Sequence, residues 1–190
     1  MSTVTDYRNI VKRRFRITVS TFDTDIDNCV KSAVPLLAPY VRKKAVEVLS
    51  ANSDDQSVAF APSGAVEPDI TRIYVKGSND VWELYSDYFY ENGTIYFREW
   101  LDDGTTLNVH YNSLYLEADI NNISKMYETG LADLSCAEFA GLLAGDKSKY
   151  NILSQSTGAR GVDNMLDMQV HWENQADRHL SAISNGNGVV

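Results

Sequence analysis

The spacing of apolar residues changes twice along this chain. It is helical at first, alternating in the middle and helical again towards the end. Tyr7, Ile10, Val11 and Phe15 fall on one side of a first helix that reaches Ile17, with Thr5 or Asp6 as its cap. Arg8, Lys12, Arg13, Arg14 and Arg16 crowd the other sides, which makes the helix amphipathic with a basic face. After a break, Asp23 or Thr24 caps a second helix. Its apolar stripe is Ile26, Val30, Ala33, Val34 and Leu37, and Asp25 and Asp27 suit its positive end. Pro35 and Pro39 kink or end it, because proline lacks the amide donor.

From Ala45 the pattern alternates, with Val46 and Val48 on one face and Glu47 between them. Residues 52–55 have turn chemistry, 57–61 read as a returning partner strand and 70–76 as the next strand. Residues 81–90 are strand-like and aromatic: Trp82, Tyr85, Tyr88, Phe89 and Tyr90. Asn92-Gly93 supplies the positive backbone angles of a type I′ hairpin turn. Residues 95–101 answer as a second strand and 105–111 as a third, across the turn Asp102-Asp103-Gly104. The expectation is a three-stranded antiparallel meander.

Helical spacing resumes after Asn121 or Asn122. Two long helices are expected, 123–144 and from beyond Gly161 to Ile183, joined by a polar elbow at 145–151. Ile123, Tyr127, Leu131, Leu134 and Leu142 face a core in the first. Its small residues Ala137, Ala140, Gly141 and Ala144 allow another helix to approach closely, so the pair reads as a scaffold that packs against copies of itself. The second carries Val162, Met165, Trp172, Ala176 and Ile183. Together the patterns predict an α+β fold. Two long C-terminal helices and the N-terminal helices form a bundle over 1–44 and 120–183, an antiparallel β subdomain is inserted at 45–119, and 184–190 form a flexible polar tail.

Charge refines this picture. Residues 1–50 carry a net +4 and the remainder −13, so a basic end sits on an acidic body. An acidic body argues against wrapping nucleic acid over most of the surface. The basic helix face suits contact with a partner, with DNA phosphates or simply with solvent. No apolar run is long enough to cross a bilayer, and the first residues do not read as a signal peptide. Cys29 and Cys136 each fall in an expected helix and read as buried thiols.

No reaction centre is spelled out. His171 and His179 lie eight apart on one helix, not the four that place two ligands on one metal, and His110 sits in a strand. Asp54-Asp55 and Asp102-Asp103 could bind a cation or do acid–base work, but beside Asn, Ser and Gly they read as turns. Gly158-Ala159-Arg160-Gly161 reads as a hinge. No cofactor and no metal are expected. Two other classes stay open. One is a carbohydrate- or peptide-binding module using Tyr85, Tyr88, Tyr90 and Trp100; the other is an enzyme using Asp102, Asp103 or His110.

Three stretches taken together resemble the head–tail adaptor (connector) proteins of tailed bacteriophages. They are Asp25-Ile26-Asp27-Asn28-Cys29 on to Ala38-Pro39-Tyr40-Val41, a strand-rich middle ending in Asn108-Val109-His110-Tyr111, and Ala137-Glu138-Phe139-Ala140-Gly141-Leu142-Leu143-Ala144-Gly145-Asp146 on to Gly161-Val162-Asp163-Asn164-Met165. The likeness spans most of residues 20–183.

The resemblance implies a non-enzymatic virion protein. Such proteins form a homo-oligomeric ring in the neck, commonly of twelve copies, assembled in the host cytoplasm without a membrane. The ring sits below the portal protein, docks a tail or stopper protein, and lets DNA pass without sequence-specific binding. A six-fold stopper ring is the nearest alternative. On this reading Ala137, Ala140, Gly141, Ala144 and Trp172 form the subunit interface. Arg8, Lys12, Arg13 and Arg16 meet an acidic partner, and the tail with Asn187, Val189 and Val190 orders on the portal.

Overall fold

A computed structural model describes residues 2–51, 55–62, 65, 68–76, 80–102, 104–157 and 164–186. The fold is α+β, and the chain divides into two compact units. One joins Met1–Val41 to Tyr115–Val190; the other is Arg42–Leu114.

The first unit is helical. α1 (Val4–Arg14) is capped two residues before the earliest expected cap, by Thr3 rather than Thr5 or Asp6. The hydroxyl of Thr3 accepts from the Asp6 amide and the Asp6 carboxylate accepts from the Thr3 amide at 2.8 Å, a reciprocal capping box. α1 also stops earlier. The Ile17 amide donates to Lys12 O and the Arg16 amide to Arg13 O, with Arg16 at φ +55°. This is a Schellman close with arginine in the place that usually holds glycine. α2 (Asp23–Ala33) buries Ile26, Val30 and Ala33, with Val34 and Leu37 continuing the stripe into a 3₁₀ turn begun by Pro35.

A 3₁₀ turn, Glu117–Asn122, takes in the expected cap, and a second, Lys125–Tyr127, occupies the start expected for the next helix. α3 (Glu128–Gly145) begins after them, because Ile123 and Ser124 are extended. Residues 130–137 are buried without interruption, more than two full turns, so α3 is a central helix covered on every side. The expected elbow is itself mostly helix. Asp146 accepts the amides of Ser148 and Lys149 at 2.9 and 3.2 Å and so starts α4 (Lys147–Thr157) directly. α5 (Met165–Gly186) has 22 residues, about 33 Å of helix, and Asn164 caps it through the Leu166 amide. α5 therefore takes in 184–186, the first part of the expected tail; Asn187, Val189 and Val190 lie outside the described residues, as do 158–163. One apolar core joins α1, α2, α3 and α5, with Phe15 and Phe22 set edge-on to Phe139.

The second unit is two packed sheets, not a meander. The strands are β1 (Lys43–Ser50), β2 (Asp55–Ala59), β3 (Asp69–Lys76), β4 (Trp82–Tyr85), β5 (Tyr88–Glu91), β6 (Thr94–Leu101) and β7 (Thr106–Ser113). A four-stranded sheet has the order β1-β7-β3-β4 and a three-stranded sheet the order β2-β6-β5, with every pairing antiparallel. The β5–β6 hairpin turns at Asn92-Gly93, with φ +50° and +78°, as Asn-Gly requires. The expected third strand leaves that hairpin. Gly104 N–H donates to Ala51 O, and Ala51 N–H donates to Thr105 O at 2.9 Å, so the chain is fastened to the end of β1 before β7 begins. β7 then pairs with β1 and β3, and β2 pairs with β6 instead of returning on β1. The gain is burial: Ile95 and Phe97 pack across a shared core with Ile73, Leu107 and Val109.

Candidate interaction surfaces

The basic face of α1 is largely satisfied within the chain. Arg8 grips Asp27 with two nitrogens, Nε donating at 2.6 Å, and lies 3.6 Å from Asp23. Lys12 donates to Asp23 at 2.6 Å, and Lys149 to Asp25 at 2.7 Å. The bond to Asp27 raises the Arg8 pKa, and the bond to Asp25 raises that of Lys149. The acids expected to favour the start of α2 thus also hold α1 and α4. Of the four basic residues assigned to a partner, Arg13 and Arg16 are exposed and have no carboxylate partner among the described residues.

Arg14 is the basic residue at the centre of the unit, and it was not among the expected site residues. It donates to Asp133 at 2.5 Å, reaches Cys136 Sγ at 3.6 Å, and lies 4.6 Å from the centre of the Trp172 ring. The second Asp133 oxygen is 2.6 Å from His179 Nδ1. One buried carboxylate therefore ties α1 to α5 through α3. The available signal was an acid set inside the apolar run Leu131-Ala132-Asp133-Leu134.

The small-residue face packs inside the chain. Ala137 and Ala140 are buried, and α3 and α5 are the most closely packed helix pair. The close approach that these residues permit is intramolecular. It is tightest at Gly130, where a Cβ would stand 2.4 Å from Leu180 Cγ. Gly141 faces Gln169, Ala144 is half-buried, and Trp172 packs under Arg14 against the same core.

A cleft of about 550 Å³ opens beside α2 and α3, lined by Asp25, Cys29, Ser32, Glu138 and Gln169 among others. Ser32 donates to Glu138 at 3.0 Å. Burial pushes the Cys29 thiol up to about 12, with Glu138 and Asp25 adding to it, so no thiolate nucleophile exists near neutrality. Both cysteines are buried and free.

The aromatic row divides. Tyr85, Tyr88 and Tyr90 pack against the core between the sheets, whereas Phe89 and Trp100 are exposed, Phe89 stacked on Tyr96 at 4.7 Å. No continuous row of these tyrosines is presented to a ligand. His110 lies on the outer face of the four-stranded sheet with its ring against Tyr74. Asp103 is outside the described residues. Among the described residues no group of three or more His, Cys, Asp or Glu side chains could hold a metal, and no helix is long and apolar enough to cross a membrane.

No protein-family profile matches the sequence, and no curated protein matches it. A chain from a structure described as "Neck of empty GTA particle computed with C6 symmetry" aligns over 90% of this chain and 88% of its own, at 9% identity and a TM-score of 0.33. A score of that size falls short of a shared fold, and nothing about function passes through it.

Proposed function

We propose that this chain is a structural assembly protein of a tailed-phage neck: a ring-forming head–tail adaptor that joins the portal to the tail. The observation that carries this reading is the order of elements. Two short helices come first, a β unit is inserted, and long helices then return to share one core with the first two. That is the order on which the likeness to the adaptors rests. The β unit also leaves large apolar side chains exposed on both of its sheets, Val48 and Leu84 on one, Phe89 and Trp100 on the other, as an assembling subunit would.

In this role the protein is not an enzyme. Its net charge of −9 suits a channel wall along which DNA slides. A twelve-copy ring under the portal and a six-fold stopper ring differ twofold in mass. Native mass measurement of the full chain, alone and mixed with portal protein, distinguishes them. A chain that stays monomeric in both settings overturns the reading. Removing residues 187–190 should weaken portal attachment and leave the melting temperature unchanged; unchanged attachment removes the tail from the interface.

A further inference from the structure

The outer face of the four-stranded sheet differs from the rest of its unit. Arg42–Leu114 carries twelve acidic and six basic residues. Pairing places Val46, His110 and Arg72 in one row of this face, and Val48, Asn108, Tyr74 and Leu84 in the next. Lys44 and Asn112 form the row on one side, Lys76 and Trp82 stand on the other. Among the described residues, the acids at this arrangement are Asp69, in register with Asn112 at one end, and Asp80, which pairs with Lys76 at the other.

The face is apolar as well as basic. Val46 is 52% exposed, Val48 64%, Leu84 61% and Trp82 42%, although a sheet normally turns such residues inward. Lys44, Arg72, His110 and Asn112 line an open cleft of about 460 Å³ next to the two valines. Neither Lys44 nor Arg72 has a carboxylate partner among the described residues. The cleft fits a carboxylate, and its flank fits a pair of aliphatic side chains.

The chain itself holds an element with that chemistry. On the solvent side of α5, Leu166 and Val170 are 59% and 54% exposed, one turn apart, with Asp167 and Glu173 exposed beside them. The leucine and valine are spaced about 6 Å along the helix. Val46 and Val48 are spaced about 7 Å along their strand.

We propose that the outer face of the four-stranded sheet receives the first half of α5 from a second copy of the chain. Leu166 and Val170 lie on Val46, Val48 and Leu84, and the carboxylates of Asp167 and Glu173, one on either side of that pair, face Lys44 and Arg72. Two different surfaces meet, so the contact is head-to-tail, and repeated contacts close a ring or extend a filament. The proposal rests on the assembly reading above and supplies its contact.

The test is charge reversal in the full chain, read by sedimentation across a concentration series. The pair Lys44→Glu and Arg72→Glu should raise the assembly midpoint at least tenfold, as should the pair Asp167→Lys and Glu173→Lys. All four together should restore it to within a few-fold. Circular dichroism melting confirms that each variant is folded. Assembly that ignores both pairs overturns this contact and leaves the ring reading intact; so does loss without rescue by the fourfold variant. A wild-type chain that is monomeric alone and with portal protein overturns both.

Discussion

Asp133 and His179 face each other across α3 and α5 at 2.6 Å, and the other oxygen of Asp133 is held by Arg14. The carboxylate is almost wholly buried, so its cost of desolvation is met only while both partners stay in place. Asp133→Asn leaves the guanidinium of Arg14, over the Trp172 ring, on a neutral amide. That should lower unfolding stability by about 3 kcal/mol. Urea denaturation of the two proteins measures it. The paired change Asp133→Leu with Arg14→Met should cost much less, because it removes both charges together.

The buried thiols set an alkaline limit. Burial pushes Cys29 up to about 12 and Cys136 up to about 11, the latter against the pull of Arg14. Burial raises the Tyr7 hydroxyl as well. In the unfolded chain a thiol releases its proton near pH 9, while in the folded chain it keeps it. Between those values the folded state binds more protons, so stability must fall as pH rises. At pH 10 each thiol contributes on the order of 1 kcal/mol of that loss. Urea midpoints at pH 8 and pH 10 should show the fall in the native protein and a smaller fall in Cys29→Ala. Equal falls in the two would remove Cys29 from the account.

Local pattern carried much of this fold and long-range pairing did not. The stripe Ile26, Val30, Ala33, Val34 and Leu37 is buried as spaced, because helical periodicity alone decides which side of α2 is dry. Asn92-Gly93 turns as expected, because few residues tolerate its backbone angles. The meander failed because β7 is steered by hydrogen bonds between Ala51 and the Gly104-Thr105 turn, more than fifty residues along the chain. No alternation within residues 81–111 encodes that choice. The elbow is helical because Asp146 caps it, although Lys147, Ser148 and Lys149 on their own have loop chemistry. The basic face of α1 was legible as charge, but Asp23 and Asp27 lie on another helix, so its internal use at Arg8 and Lys12 was not.

Gly130 should be the least replaceable small residue of α3. A methyl group there would stand 2.4 Å from the side chain of Leu180, inside any tolerable contact, and Leu180 is itself fully buried. Gly130→Ala should therefore cost about 2 kcal/mol by overpacking. Adding Leu180→Ala should restore part of the loss, because it clears the clashing atoms. Thermal melts of the two single variants and the double variant test the coupling; strict additivity would mean that the clash is relieved elsewhere.

Arg16 separates a structural role from a partner role. It is exposed, and its φ of +55° is a left-handed conformation that a side chain with a Cβ adopts at a cost of about 1 kcal/mol. Glycine in the same Schellman position carries no such cost. Arg16→Gly should thus raise the stability of the isolated chain by up to about 1 kcal/mol, while Arg13→Ala on the straight part of α1 leaves it nearly unchanged. If the free charges of Arg13 and Arg16 meet an acidic partner, both variants weaken that attachment, and they weaken it most at low salt. Chemical denaturation of the chain and salt-dependent binding to portal protein read the two effects independently. A more stable Arg16→Gly chain that binds as well as wild type would leave Arg16 as a helix terminator alone.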